Sequence, residues 1–132
     1  EHLIELGHRR LCHIAGGRGA GAAQRKAGYE ATMRHHGLEQ CSVQGAFTES
    51  AGVAAATRLL ALGRPFTAVF AGNDLSALGA LDTFEAAGLE VPGDVSLVGY
   101  DNTFVAALRH VGLTTVDQER EQLGQLTVRA LI

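Results

Sequence analysis

Four side chains with distinct chemistry follow the first four apolar segments of this sequence. Arg25 lies in the first turn of a predicted helix after the first segment, and Phe47 follows the second. Asn73 follows the third segment, and Asp101 follows the fourth. A cation, an aromatic ring, an amide and a carboxylate at one site would suit a small polar ligand with apolar faces, such as a sugar or a nucleobase.

Each of these residues also has a plain structural explanation. Arg25 could be a solvated helix residue, although a cation in a first turn faces the positive end of the helix dipole. Phe47 could belong to the core. Asn73 and Asp74 could simply begin a helix, and Asp101 could serve a turn. The residue types alone leave both interpretations open.

The elements that would position these residues alternate between strand and helix. Short apolar segments bounded by glycine or polar residues predict strands at 11–15, 42–46, 67–71, 95–100 and 113–117. Longer segments predict helices at 1–6, 22–36, 50–62, 74–87 and 103–109, with a last helix starting near residue 119. This order predicts βαβ units, and hence an α/β, Rossmann-like fold with a parallel sheet between two helical layers. Ligands bind at the carboxyl ends of such strands, where the four side chains would meet.

The sequence also predicts the capping residues of two helices and the buried face of one of them. Ser50 is expected to cap the 50–62 helix, whose buried face would include Val53, Ala56 and Leu60. Asn73 is expected to cap the next helix.

Composition excludes several classes of protein. Of the 132 residues, 46% are hydrophobic, which argues against disorder. A formal charge of -3 is unlike a surface that grips nucleic acid. No apolar stretch approaches the roughly 18 residues of a membrane span, and the N-terminus does not resemble a signal peptide. We expect a cytoplasmic protein in which Cys12 and Cys41 are reduced core thiols.

The two ends of the sequence indicate a piece of a longer protein. Residues 1–6 look like the last turns of a helix closed by Gly7, with no capping residue before them. Residues 123–132 look like a helix with no stop signal.

A dinucleotide-binding enzyme is the main catalytic alternative. Residues 17–22 fit the pattern G-x-G-x-x-A between a strand and a helix. The acidic residue that should end the second strand is absent, because residues 45–47 are Gly-Ala-Phe and Glu49 comes too late. The remaining chemistry is sparse, since the adjacent His35 and His36 point to different helix faces. We therefore expect no enzyme activity, no cofactor and no metal site.

Five segments resemble the lac repressor family of transcription regulators. Residues 2–11, HLIELGHRRL, are similar to the family's HLIELGHRRI, and residues 25–29 to its RxxGY. Residues 66–80 resemble its PTAVFAANDLMALGA, and residues 91–101 its VPEDVSVVGFDD. Residues 113–118 resemble its LTTVxQ. The segments follow in the family's order and spacing across nearly the whole chain.

The resemblance implies an effector-sensing domain with the type I periplasmic-binding-protein-like fold. Family members hold a small effector, often a sugar, through residues that match Arg25, Phe47, Asn73, Asp101 and Gln118. They bind operator DNA through an N-terminal helix-turn-helix head that this chain lacks, so the chain alone is expected to bind no operator. A periplasmic sugar-binding protein of a transporter shares the fold and is the alternative function.

The family core has two lobes, which divides this chain unequally. By analogy, residues 1–113 belong to the C-terminal lobe, and residues 114–132 cross into the N-terminal lobe. The sequence departs from the family in two places. Residues 17–23 lack the serine, threonine or aspartate that often lines the cleft, and Glu119 replaces the usual proline after Gln118.

Family members also pair as two-fold dimers, and the helix at 74–87 is apolar around much of its circumference. Ala77, Leu81 and Phe84 would face the sheet at about 100° per residue. A second apolar side is expected to contact another subunit, although packing within the same lobe is the alternative. The residues of this second side are Leu75, Gly79 and Ala86.

Overall fold

A five-stranded parallel sheet organises the computed structural model, which describes all 132 residues. Its strands are β1 (Leu11–Ile14), β2 (Ser42–Val43), β3 (Ala68–Ala71), β4 (Ser96–Tyr100) and β5 (Thr114–Val116). The helices are α1 (His2–Glu5), α2 (Ala20–His35), α3 (Glu49–Ala61), α4 (Asp74–Ala86) and α5 (Arg120–Leu131). The strand order is β2-β1-β3-β4-β5, with every neighbouring pair parallel. The α/β architecture predicted from the sequence is confirmed.

Alternate residues of the strands face two different helical layers, as expected for a strand buried on both sides. In β1, Cys12 and Ile14 belong to the larger apolar cluster, which β1, β3 and β4 form with α3 and α4. Leu11 belongs to a smaller cluster with residues of α1 and α2, including Tyr29 and Met33. The sheet therefore lies between two helical layers, and its carboxyl edge is left for the site.

Several predicted details are wrong. Thr48, not Ser50, caps α3, since the Thr48 side chain accepts a hydrogen bond from the Ala51 N–H at 3.2 Å. In the same helix Ala56 is buried and Leu60 partly buried as predicted, but Val53 is exposed, because the buried face is centred on Ala55 and Leu59. Residues 103–109 form turns rather than a helix.

The start of α2 also differs from the prediction. The helix begins at Ala20, with Gly19 as its N-cap. Arg25 consequently lies in the second turn, so the unfavourable helix-dipole argument made for a first-turn cation does not apply. By contrast, Asn73 caps α4 as predicted, in a reciprocal arrangement with Ser76.

The prediction of two reduced cysteines is wrong in this structure, where Cys12 and Cys41 form a disulfide. His13 of β1 pairs with Ser42 of β2, so the residues that precede them are also neighbours across the two strands. Their Cα atoms are 4.6 Å apart, which is within reach of a disulfide. Sequence spacing alone did not reveal this pairing, because it depends on the register of β2.

The C-terminal helix stands apart from both layers. α5 has no buried residue, and Leu123, Leu126, Val128 and Leu131 are exposed on it. Neither α5 nor any other helix combines the length and apolarity that crossing a membrane requires.

Candidate functional site

Arg25 lies at the centre of a polar cluster at the carboxyl edge of the sheet. It projects from the second turn of α2 and keeps only 15% of its side chain exposed. Its Nη1 donates to the carbonyl of Gly72, just after β3, at 2.6 Å. Its Nη2 donates to Asp101 Oδ1 at 3.1 Å. The guanidinium thus connects α2 with the ends of two strands.

Asp101 follows β4 directly and receives donors from two sides. Besides Arg25, the side-chain amide of Gln118 donates to Asp101 Oδ1. The backbone N–H of Asp101 donates to the carbonyl of Val116 in β5 at 2.9 Å. Because the carboxylate is 20% exposed, a ligand can reach it. Gln118 is itself exposed and completes the rim of the cluster.

Two aromatic rings flank the guanidinium. The Arg25 Cζ atom lies 4.0 Å from the ring centroid of Tyr100 and 5.0 Å from that of Phe47. Both distances lie within the range of a cation–π contact. The site therefore offers apolar faces next to a charged pair, a combination that suits a sugar ring.

Two glycines make room for the Phe47 ring. A Cβ atom on Gly16 would lie 2.4 Å from Phe47 Cε1, and one on Gly72 would lie 3.2 Å from the same atom. Any side chain at Gly16 would thus displace the ring. Glycine at these strand ends lets the ring lie against the backbone at the edge of the sheet.

Asn73 supports the site through a hydrogen bond to the backbone of Phe47. Its Nδ2 donates to the carbonyl of Phe47 at 3.2 Å, and its Oδ1 accepts from the Ser76 N–H at 2.9 Å. Asn73 is buried, so most of its hydrogen-bonding capacity is used within the protein. The structural explanation, a helix start, therefore holds for Asn73, and direct contact with a ligand stays a prediction.

All five predicted effector residues gather in this cluster, which links Arg25 to Phe47, Asp101 and Gln118 and links Asn73 to Phe47. Sequence reasoning missed Tyr100, the aromatic ring nearest to the guanidinium. The signal was present, since Tyr100 is the last residue of β4 and directly precedes Asp101.

A groove of about 540 Å³ opens beside the cluster along α2. Arg25, Tyr100 and Gln118 form one end of it, and Leu3, Ile4 and other mostly apolar residues form the rest. Phe47, Asn73 and Asp101 are not among its walls. Arg25 and Gln118 therefore belong both to the cluster and to the groove, while the Asp101 carboxylate lies at the edge of the sheet outside it.

The three residues predicted at a dimer interface differ in their exposure on α4. Leu75 and Ala86 are exposed on α4. Gly79 is buried under α3, where an added Cβ would lie 2.1 Å from the carbonyl oxygen of Glu49. Gly79 is thus unavailable to a second subunit, and its inclusion in the interface is wrong, because α3 covers that part of α4.

The cluster can bind but has no obvious reactive group. Arg25 and Asp101 neutralise each other, which favours a neutral ligand over an ion. A hydroxyl group could accept from the guanidinium and donate to the carboxylate at the same time. An arrangement of this kind can bind a neutral molecule that carries hydroxyl groups.

The chain is similar to one known domain family and to several known transcriptional regulators. The family model of the periplasmic binding protein-like domain matches residues 1–132. The transcriptional regulator CelR of Thermobifida fusca is 39% identical over 136 residues, covering 100% of this chain and 40% of the relative. The repressor PurR of Erwinia tasmaniensis is 38% identical, covering 99% of this chain and 40% of the relative. The chain thus spans about 40% of the length of these relatives.

Solved structures of transcriptional regulators also superpose closely on this chain. A LacI transcriptional regulator from a Rhodococcus species superposes with a TM-score of 0.94 at 42% identity, covering 97% of this chain and 48% of that chain. A complex of the regulator CelR with cellobiose gives 0.91 at 40% identity, covering 98% and 41%. The lac repressor bound to ONPG gives 0.92 at 32% identity, covering 98% and 40%.

Proposed function

This chain belongs to the lac repressor family of transcriptional regulators, and on that premise we propose that it is the part of a repressor that senses a small-molecule effector. The effector binds at the carboxyl edge of the sheet and controls the grip of the whole protein on operator DNA. The observation that carries this proposal is the Arg25–Asp101 pair, flanked by aromatic rings at the edge where the fold class binds its ligands.

The effector we propose is a neutral sugar. The mutually neutralised pair favours a ligand without net charge, and the rings of Phe47 and Tyr100 offer surfaces for the apolar faces of a sugar. The similarity to a regulator solved with cellobiose makes that disaccharide the first candidate. The sequence match to a repressor named PurR keeps other ligand classes, such as a nucleobase, as outcomes of the test.

We also propose how the remaining parts of the full-length protein contribute to this function. Operator binding resides in a segment outside these 132 residues, since this chain carries a net charge of -3. Residues 1–113 form most of one lobe together with β5, which pairs with β4 in the same sheet, and the chain crosses after β5 to a second lobe that closes the cleft. The protein acts in the cytoplasm, where its DNA target lies, and it binds its effector without catalysing a reaction.

A ligand screen on the full-length protein tests this function. Thermal unfolding is measured with cellobiose, other neutral sugars and nucleobases. We expect a neutral sugar to raise the Tm, because a ligand that binds only the folded state stabilises it. Asp101→Ala removes the carboxylate that would accept hydrogen bonds from the sugar, and we expect it to abolish that shift.

Glu90→Ala is the matched control for this screen. Glu90 is an exposed carboxylate that precedes β4, at the opposite edge of the sheet. The control should respond to the sugar like the unmodified protein. A sugar-induced shift that survives in Asp101→Ala would remove Asp101 from the site, and a protein that binds a sugar but no DNA would favour the transport alternative.

A further inference from the structure

The turn that carries Asp101 has a backbone conformation that residues other than glycine rarely adopt. Asp101 has φ 112° and Asn102 has φ 50°. Two consecutive residues of this kind are costly and persist only where the surrounding structure holds them. The structure must therefore contain groups that hold this turn.

Asp74, the first residue of α4, provides those groups. Its Oδ2 accepts from the N–H of Thr103 at 2.6 Å and from the hydroxyl of the same residue at 2.8 Å. Its Oδ1 accepts from the hydroxyl of Thr115, in β5, at 2.5 Å. Thr115 Oγ1 in turn accepts from the N–H of Asn102 at 3.2 Å. One carboxylate thus fixes the turn directly through Thr103 and indirectly through Thr115.

A simple helix start does not account for Asp74. An acidic residue in the first turn stabilises a helix through its dipole while it stays in water. The Asp74 side chain is instead fully buried, and its hydrogen bonds reach the β4–β5 loop and β5 rather than its own helix. Burial of a carboxylate is costly without such charge-assisted hydrogen bonds.

The sequence of β4 is adapted to this carboxylate. A Cβ atom on Gly99 would lie 2.5 Å from Asp74 Oδ1 and 3.3 Å from the Asp74 Cα. Any other residue at this position would push the carboxylate away from Thr115. Glycine at position 99 therefore leaves the space that Asp74 occupies.

We propose that Asp74 is a positioning residue for the effector site, and this inference rests on the function proposed above. Through Thr103 and Thr115, its carboxylate holds the turn in the conformation that directs Asp101 toward Arg25 and Gln118. Without it the turn relaxes, and the Asp101 carboxylate leaves the cluster.

Hydrogen exchange of the ligand-free, full-length protein tests the positioning role without any effector. In Asp74→Asn we expect the amides of residues 101–103 to exchange at least tenfold faster, with β1 and β3 unchanged. Uniformly faster exchange across the protein would show that Asp74 only stabilises the fold, and unchanged exchange at residues 101–103 would show that it does not hold the turn.

Thr115→Val provides a second variant that leaves Asp74 in place and removes the hydroxyl that bridges it to Asn102. It should also speed exchange at residues 101–103 by about tenfold. Thr83→Val is its control, because the Thr83 hydroxyl bonds only to the Gly79 carbonyl within α4. Unchanged exchange at 101–103 in Thr115→Val would overturn the proposal, even if Asp74→Asn failed to fold.

A binding measurement with cellobiose as the probe completes the test. We expect Asp74→Asn to weaken cellobiose binding about tenfold. Exchange that changes as expected while affinity stays constant would overturn the link between the turn and the site. If cellobiose does not bind the unmodified protein, cellobiose is excluded as the effector, while the exchange experiment still decides whether Asp74 positions the turn.

Discussion

His13 is the most deeply buried ionisable ring in the protein outside the site. It lies in β1 with no exposed surface, stacked between Tyr29 and Phe70 at centroid distances of 5.1 and 4.8 Å. Its Nδ1 lies 2.8 Å from the Phe70 carbonyl, which can only accept, so Nδ1 carries the proton of the neutral ring. Burial lowers the pKa of His13 below 6.5, against a smaller opposing effect of the hydrogen bond to Phe70.

This lowered pKa predicts a loss of stability in acid. Below about pH 6.5 the unfolded chain binds a proton at His13 that the folded protein does not, so stability falls as the pH drops. The loss continues until the folded imidazole is itself protonated. Above about pH 6.5 the effect is absent.

Urea unfolding between pH 5 and pH 8 checks this. His13→Gln cannot take up the proton, so its stability should fall less with decreasing pH than that of the unmodified protein. His110→Gln controls for the loss of an exposed imidazole. Equal pH dependence of the unmodified protein and His13→Gln would show that His13 does not couple protonation to folding.

Sequence reasoning succeeded best where a residue follows a strand. Arg25, Phe47 and Asp101 gather at one edge because parallel strands all end there, and this follows from the order of elements. Asp74 looked like an ordinary helix start because its partners, Thr103 and Thr115, are distant in sequence. Local patterns do not show which long-range partners a polar residue finds.

At the scale of elements, α3 and α4 pack closely against each other through two glycines. A Cβ on Gly52 of α3 would lie 2.1 Å from the Ser76 carbonyl oxygen, and a Cβ on Gly79 of α4 would lie 2.1 Å from the Glu49 carbonyl oxygen. Both neighbours are backbone, which cannot move aside as a flexible side chain does. The two helices can approach this closely only because both positions lack a side chain.

We therefore expect Gly79→Ala to destabilise the protein by about 1–3 kcal/mol, the usual cost of overpacking. Gly28→Ala is a matched control inside α2, where an added Cβ meets nothing within 4 Å. Because glycine is a poor helix residue, this control should be stabilising by about 0.5–1 kcal/mol. Urea unfolding compares the two variants, and a neutral Gly79→Ala would contradict the close packing of α3 against α4.

The helices and strands could be predicted where the spacing of apolar residues and the positions of glycines indicated the same boundaries. The order of strands and helices followed from apolar segments separated by glycines, which lie past the ends of α2, α3 and α4 with positive φ. The helix predicted at 103–109 is absent, because this segment is held as a turn between Asp74 and β5. Tertiary contacts decided the outcome there, and propensity alone could not.

At the scale of the whole molecule, exposed apolar surface remains on α4 and α5. Leu75 is 40% exposed at the start of α4, and Ala86 is exposed at its end. With Gly79 covered by α3, Leu75 and Ala86 are the two residues of the predicted apolar side that remain available to a partner. We retain the proposal that they contribute to a homodimer of the full-length protein, as two-fold regulators require to match a palindromic operator.

Leu75→Asp tests the dimer. A charge in an apolar contact is costly, so we expect the full-length variant to be monomeric at micromolar concentration and to bind operator more weakly. Asp82→Asn, a change at another exposed position of α4, is the control and should stay dimeric. A variant that sediments as a dimer would show that Leu75 lies outside the interface.

We propose that a small molecule bound at the edge of the sheet changes the affinity of the whole protein for DNA. The most direct measurement is the anisotropy of labelled operator titrated with full-length protein, with and without the sugar that raises its Tm. We predict that saturating sugar changes the apparent operator Kd at least tenfold, and that Arg25→Ala abolishes this change. An operator Kd that is the same with and without the stabilising sugar would contradict the account.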